Sequence, residues 1–410
     1  MHASDLHVAV VSQNADIVSD LRPRAMAEAL AEAGYVVSLV APTRRPHVVS
    51  TVTPPGVSLR SFRMPAPARS RAGQLREQAQ AMAGAGRALA SVARTSPVHI
   101  VQVGNPPDNG WLFPYLLGLV QGFVPAFVYD QHDPAPLLVR AKFGRGVLTS
   151  LIERVLMGLE AMAFRRADLV VLANKPYLQR ATALGLLRSG ALVAPNGWSL
   201  RTTPTKAPLP WRHSDVPLLA YVGTTNAQDC ITHLVEAVAC VRVPLQVVVA
   251  GDGDARRDAE QLAHRLGVAD RIVWLGWVTD RGLVARLVAE ADICAAPETS
   301  SPANDITSFV KVIEYMSLGA PIVAHRLPQT ELIAGDAVEY ADDESPAAFA
   351  AAVERVLVDR EGVAWRREAA RRRFDEALRW ESVGAPRLAQ GYASAFLSDG
   401  GPVSQSSQPH

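Results

Sequence analysis

In the segment SPANDITSFVKVIEYM, residues 301–316, Pro302, Asn304 and Asp305 read as a loop, and a helix is expected to begin near Thr307 just after Ile306. At 100° per residue Phe309, Val312, Ile313 and Met316 share an apolar face, while Thr307, Lys311 and Glu314 share another. One face packs and the other is left to hold a ligand. A helix start presents unpaired N–H groups and the positive end of the dipole, which suits a diphosphate. Lys311 adds a point charge one turn in, and Glu314 is placed to accept hydrogen bonds from ribose hydroxyls. The plain alternative is a solvated i,i+3 pair of Lys311 with Glu314, worth roughly a few tenths of a kcal/mol.

Other candidate residues sit in loops that follow apolar runs. Gly223, Thr224, Thr225 and Asn226 open such a loop, and their N–H groups can meet phosphate. Gly251 and Gly253 in GDGD follow another run, although one GxG is equally a turn. Asn14 stands in the loop 14–20 after the first run, where an acceptor could be hydrogen-bonded. His132 stands in YDQHD, residues 129–133, flanked by Asp130 and Asp133, which read as turn formers or metal ligands.

The elements that must position these residues repeat one rhythm: a short Val/Ile-rich run, a Gly/Asn/Asp loop, an amphipathic helix, then another run. That is the βαβ alternation of parallel sheets, so the chain reads as α/β. Strands are expected at His7–Ser12, Val36–Val40, His99–Val103, Ala126–Tyr129, Leu169–Leu172 and Ala191–Ala194. After the Pro-rich TTPTKAPLPW they resume at Leu218–Val222, Leu245–Ala250, Ile272–Leu275, Asp292–Ala295, Pro321–Ala324 and Val338–Tyr340. A helix Arg22–Ala33 is expected with Asp20 as its cap, Pro23 in its first turn and Gly34 closing it. The domains are then 1–200, a linker at 201–216 and a second domain at 217–375. A helix at 376–396 has the option of crossing back to the first domain, and 397–410 reads as a disordered tail. Two doubly wound sheets that bind at the carboxyl ends of their strands offer a shared cleft.

At 410 residues and 49% hydrophobic, the chain holds more than one core. Cys230, Cys240 and Cys294 form no CxxC pair, so no disulfide framework or thiolate zinc site is supported, and they read as small core residues. The opening MHASDLHVAVVS lacks a signal-peptide pattern, so a cytoplasmic protein is expected. Trp111–Val128 is interrupted by Pro114 and Pro125 and reads as a buried helix and a buried strand. The net charge of +1 divides unevenly, with 20 Lys/Arg against 12 Asp/Glu in residues 1–200 and 21 against 28 beyond. Residues 140–166 hold six Lys/Arg against two Glu around an apolar helix Val147–Phe164, and residues 60–97 hold seven Arg against one Glu. That pattern fits a helix lying at an anionic membrane face, or a buried helix with a solvated basic side.

Five ordered segments, LAYVGTTNAQDCITHLVEAVA, VVVAGDGD, RIVWLGWV, ADICAAPETSSPANDITSFVKVIEYMSLGAPIVA and AGDAVEYADD, resemble the donor-binding domain of retaining glycosyltransferases of family 4 (group 1), of the GT-B fold. AMAEALAEAGYVVSLVAP, YDQHD, ADLVVLANKPYLQRA and VAPNG extend the likeness loosely over the first half. The resemblance implies two Rossmann-like domains facing across a cleft, 1–200 on the acceptor side and 217–375 on the donor side, and transfer of a sugar from a nucleotide-sugar, UDP-, GDP- or dTDP-linked, to an acceptor hydroxyl. It implies Glu314 on the ribose, His132 on the donor sugar, and backbone groups of Gly276, Trp277 and Val278 on the base. No metal or other cofactor and no nucleic-acid partner is implied. The acceptor is a small molecule, a glycan or a lipid-linked group, and the protein a monomer or homodimer, with peripheral contact at the inner membrane face as an option. The chain departs from the family pattern twice. Ile306 stands where the family's first glutamate belongs, with Asp305 the neighbouring carboxylate, and GTTNAQDC lacks the usual phosphate-gripping Arg and Lys. A sugar-nucleotide epimerase and a catalytically silent partner protein are the competing readings, whereas a glycosidase would need two carboxylates flanking the bond roughly 5–10 Å apart.

Overall fold

The computed structural model describes residues 2–13, 15–66, 71–144, 146–200 and 216–398. Asn14, the linker up to residue 215 and the tail from residue 399 lie outside the described residues. The chain divides into two compact units, Met1–Pro195 with Glu381–His410, and Asn196–Trp380.

The first unit is built on seven parallel strands, β1 (His7–Val11), β2 (Val36–Thr43), β3 (Val57–Arg63), β4 (Ile100–Gly104), β5 (Ala126–Gln131), β6 (Leu169–Leu172) and β7 (Gly190–Val193). Their order is β3-β2-β1-β4-β5-β6-β7. The second unit has six, β8 (Leu218–Val222), β9 (Gln246–Ala250), β10 (Ile272–Gly276), β11 (Ile293–Ala296), β12 (Ile322–Ala324) and β13 (Glu339–Tyr340), ordered β10-β9-β8-β11-β12-β13. Strands such as HVAVV, LLAYV and QVVVA are buried at every residue. Helices cover both faces of a parallel sheet, so continuous apolar runs survive only in this architecture. The winding reverses between β1 and β4 and again between β8 and β11, and those two gaps are where such sheets receive ligands.

The α/β expectation and the two Rossmann-like sheets stand. Strand β3 escaped the sequence reading because it is a half-exposed edge strand in which Arg60 and Arg63 interrupt the apolar signal. The helix after β1 runs Leu21–Glu32 and ends at Gly34 with φ +93°, as expected, but the Asp20 side chain does not cap it. Asp20 instead accepts from the Ser12 hydroxyl at 3.4 Å. Of the three cysteines only Cys294 is core; Cys230 is half-buried and Cys240 exposed. The helix Leu112–Gln121, expected to be buried, exposes Tyr115, Leu116, Leu119 and Val120 along one side. No described helix is long and apolar enough to cross a membrane.

Near the end of the chain the helix Ala385–Tyr392 packs on Leu21–Glu32 within the first unit. Tyr392 meets Tyr35 edge-on at 5.7 Å and donates its hydroxyl hydrogen to the side-chain oxygen of Gln102. In the second unit Trp198 and Trp380 stack obliquely at 4.8 Å, and the Trp380 amide donates to the Gly197 carbonyl at 2.8 Å. The two places where the chain passes between units are thus tied to each other.

Candidate functional site

In the second unit the loops after β8 and β11 converge on Lys311. The helix that carries it runs Val310–Leu318, three residues later than expected, because Asn304–Ile306 forms a separate 3-10 turn. Thr307 therefore lies before the helix, where its hydroxyl donates to the Ala303 carbonyl at 2.8 Å. The Lys311 ammonium donates to the Tyr221 hydroxyl at 2.8 Å, to Asp229 at 3.2 Å and to Glu298. It also lies over the Tyr221 ring, 4.5 Å from its centre. Lys311, Asp229 and Glu298 are all buried, so the cluster is one cation between two carboxylates in a dry environment. Burial pushes the Glu298 carboxyl up, with Lys311 opposing. The Lys311 pKa is raised well above its usual value: burial works against the charge, but Glu298 and its neighbours outweigh it.

Asp229 also organises the loop. It accepts from the Thr224 hydroxyl at 2.7 Å and from the Asn226 amide at 3.1 Å. The Thr225 amide donates to the Asp252 carbonyl at 3.1 Å, while its buried hydroxyl has no partner among the described residues. Gly251 and Gly253 now have a physical reason beyond turn formation. A Cβ on Gly253 would stand 2.6 Å from the Thr225 carbonyl carbon, and one on Gly251 would overlap the Gly223 carbonyl oxygen. The two loops lie too close for any side chain there. Gly223 is likewise confined, since a Cβ would stand 2.8 Å from the Lys311 side chain.

Glu314 lies one turn beyond Lys311, but the solvated pair with Lys311 does not form. Glu314 is buried and accepts from Arg281 at 3.0 Å through one carboxylate oxygen. Its second oxygen has no hydrogen-bond partner among the described residues. Burial raises the Glu314 carboxyl and Arg281 draws it back. Arg281 opens the helix Arg281–Glu290, which Asp280 caps by accepting from the Leu283 amide at 3.1 Å. Just before it, Trp277 is half exposed and Val278 packs on the core.

Asn304 and Asp305 brace the loop. The Asn304 amide donates to the Gln228 and Thr299 carbonyls at 3.1 and 2.9 Å, tying together the segments after β8 and β11. Asp305 accepts from the Ser300 hydroxyl at 3.1 Å with one oxygen, and its other oxygen is buried without a partner among the described residues.

In the first unit YDQHD is not a loop throughout, since β5 continues to Gln131. Asp130 is therefore a buried strand residue and not a turn former. Arg22 holds both its oxygens, with contacts at 2.6, 3.1 and 3.2 Å, and the His132 ring donates to it at 2.8 Å. Asn105, after β4, accepts from the His132 and Asp133 amides at 2.6 and 3.2 Å, which sets the turn that presents the imidazole. Burial works against the Asp130 charge, but Arg22 and His132 outweigh it and hold its carboxyl at about 2. Close by, burial pushes Asp108 up to about 6, while Tyr129 and Asn105 donate to it and resist.

The Asp130 shift has a sign. Its folded pKa lies below the unfolded one, so the unfolded chain binds the extra proton and the stabilisation is present above about pH 4 and lost toward pH 2. Comparing wild type with Asp130→Asn by urea unfolding, the difference should reach about 2–3 kcal/mol at pH 5 and shrink steadily below pH 4. A difference that does not change with pH would show that Asp130 is not ionised in the folded protein.

Sequence reasoning missed Tyr221, Asp229, Glu298 and Arg281. Asp229 and Glu298 carried a usable signal, because each follows a strand that borders the switch point.

A Rossmann-like unit with a lysine-centred cluster at its switch point and a half-free glutamate one turn on has the layout of a ligand-binding domain of the doubly wound class. Residues 216–359, within the second unit, match the profile of the family described as Glycosyl transferases group 1. The chain is 31% identical over 183 residues to the GDP-mannose-dependent alpha-(1-6)-phosphatidylinositol dimannoside mannosyltransferase of Mycobacterium tuberculosis, covering 44% of this chain and 45% of that one. It is 25% identical over 202 residues to the lipopolysaccharide core biosynthesis glycosyltransferase LpsE of Rhizobium meliloti, covering 48% and 56%. The match thus spans about half the length of these curated relatives. Among solved structures, sucrose-phosphate synthase of Thermosynechococcus elongatus aligns with a TM-score of 0.73 at 19% identity, over 96% of this chain and 99% of that one. Anabaena HepE in complex with UDP-glucose aligns at 0.68 and 18%, over 95% and 100%. At those identities the likeness shows the fold alone.

Proposed function

We propose that the protein is a retaining glycosyltransferase that moves a hexosyl group from a UDP-, GDP- or dTDP-sugar to an acceptor hydroxyl. The observation that carries this reading is Glu314: buried, held by Arg281 through one oxygen, and with the other left for a ribose hydroxyl beside the switch point. The family match within the second unit supports it, as do a relative named for GDP-mannose and a structural neighbour holding UDP-glucose. In the reaction the bond from the anomeric carbon to the phosphate oxygen breaks and a bond to the acceptor oxygen forms on the same face. The acceptor proton leaves with the diphosphate, so the protein's task is to position both partners and stabilise the departing charge. Lys311 serves that charge. Its three protons are all engaged here, so a phosphate contact requires one of these three bonds to give way, and the bond to Asp229, at 3.2 Å, is the longest of them.

The test is to incubate the purified chain with UDP-glucose, GDP-mannose and dTDP-glucose, with and without acceptor sugars, and follow the products by mass spectrometry. Release of a nucleoside diphosphate with sugar transferred to acceptor or water is expected, and His132→Ala should slow it about a hundredfold. Interconversion of free donors without acceptor would make the protein an epimerase. No donor consumed would leave a silent partner protein, and normal turnover in the variant would remove His132 from the site.

A further inference from the structure

Ten of the nineteen exposed large apolar residues among the described residues fall between Tyr115 and Met157. They lie on two helices and the turn after the first. The helix Leu112–Gln121 contains no charged residue and turns Tyr115, Leu116, Leu119 and Val120 outward, with Val124 just beyond. The helix Val147–Arg166 turns Val147, Leu148, Leu151, Val155 and Met157 outward. Leu119 is 86% and Val147 93% exposed, which is far from the edge-of-core exposure of ordinary surface leucines and valines. The helices touch where Arg166 donates to the Tyr115 hydroxyl and lies over the Trp111 and Tyr115 rings, 5.7 and 5.2 Å from their centres. The outward side of this helix thus combines exposed apolar residues with the exposed Arg154, Arg165 and Arg166, while Thr149, Glu160, Ala163 and Phe164 are buried.

The charge on this face runs one way. Glu153 is paired with Arg140 at 2.7 Å, and Glu160 is buried against Arg180 at 2.6 Å. Arg154 and Arg165 are exposed and form no ion pair among the described residues. Exposed apolar side chains gathered on neighbouring helices in this way fit a contact with a protein or a membrane. A second copy of the chain related by a twofold axis would bring like charges together, whereas anionic headgroups would meet Arg154 and Arg165 directly.

We propose that this two-helix face docks the first unit on an anionic lipid bilayer, its apolar side chains entering the headgroup boundary and its arginines reaching the phosphates. Interfacial helices gain from both buried apolar area and attraction to anionic lipid. The proposal deepens the functional reading by choosing a membrane-borne acceptor, and it rests on that reading only for the acceptor.

The experiment is co-sedimentation of the full chain with vesicles of phosphatidylglycerol and phosphatidylcholine, and with phosphatidylcholine alone. Wild type should pellet with the anionic vesicles at low salt, poorly with the neutral ones, and less as salt is raised. Arg154→Gln and Arg165→Gln should each weaken partitioning about fivefold. Leu119→Glu with Val155→Glu should abolish it, with the unfolding temperature and binding of UDP and GDP unchanged, because these side chains face solvent. Wild type that stays in the supernatant with anionic vesicles at low salt overturns the proposal, as do variants that pellet like wild type. A wild-type dimer that the Leu119→Glu/Val155→Glu pair makes monomeric, with no vesicle binding, would assign the face to self-association instead. A chain that binds vesicles but no nucleotide sinks the transferase reading and leaves this one standing.

Discussion

Lys311→Ala is expected to destabilise the second unit by about 3–5 kcal/mol at pH 7 and to abolish measurable turnover. The size follows from what remains: Asp229 and Glu298 stay buried after their cation is removed. The pH dependence identifies the cause. Without Lys311 the Glu298 carboxyl, already raised in the wild type, rises further above its unfolded value. A group with a raised folded pKa is most stabilising when protonated, so the deficit should narrow as the pH falls from 8 toward 5. Thermal unfolding across that range reads it directly. The double variant Lys311→Met/Glu298→Gln should recover part of the stability, because it removes one of the two carboxylate charges left without a cation and keeps the volume, while Asp229 retains its hydrogen bonds from Thr224 and Asn226. It should not recover donor turnover. A double variant that turns over like wild type would make Lys311 a structural residue only, and a deficit that ignores pH would deny the buried charge.

Glu314→Gln should weaken nucleotide-sugar binding by about ten- to a hundredfold with little change in unfolding temperature. A charge-assisted hydrogen bond to a ligand hydroxyl is worth about 1.5–3 kcal/mol, which sets the range. Gln keeps the shape, and the apolar neighbours Val312, Ile313 and Met316 are untouched. Arg281→Ala is the companion measurement. If Arg281 merely orients Glu314, its loss should weaken donor binding less than Glu314→Gln does. Calorimetry with GDP-mannose and UDP-glucose decides both, and unchanged donor affinity in Glu314→Gln would end the ribose assignment.

The strands were the most legible part of the molecule, and the reason is that parallel strands covered on both faces need unbroken apolar runs. LLAYV and LVVL match the strands β8 and β6 residue for residue. Strand β3 was not legible, because an edge strand covered incompletely tolerates arginine, and VSLRSFR reads as a basic stretch. The helix start after Asp305 was misread by three residues, since the 3-10 turn at Asn304–Ile306 satisfies its backbone groups locally and looks like helix in composition. Lys311 and Glu314 were both legible as chemistry-bearing residues, yet their partners were not. Asp229, Glu298 and Arg281 lie 82, 13 and 33 residues from the groups they bind, and no periodicity links them.

The sequence by itself determined the alternation of strand and helix, the division into two α/β units and which loops follow which strands. Those follow from local apolar periodicity and from Gly, Pro and Asn in the turns, which act over a few residues. Only the tertiary structure decided which charges neutralise each other, that Gly251 and Gly253 are demanded by loops in contact, that Asp130 belongs to a strand and an ion pair, and that the apolar side of Val147–Arg166 faces out. The physical reason is that burial and Coulomb partners are properties of distance in space. Residues far apart in the chain become neighbours only after the sheets have ordered their strands as β3-β2-β1-β4-β5-β6-β7 and β10-β9-β8-β11-β12-β13.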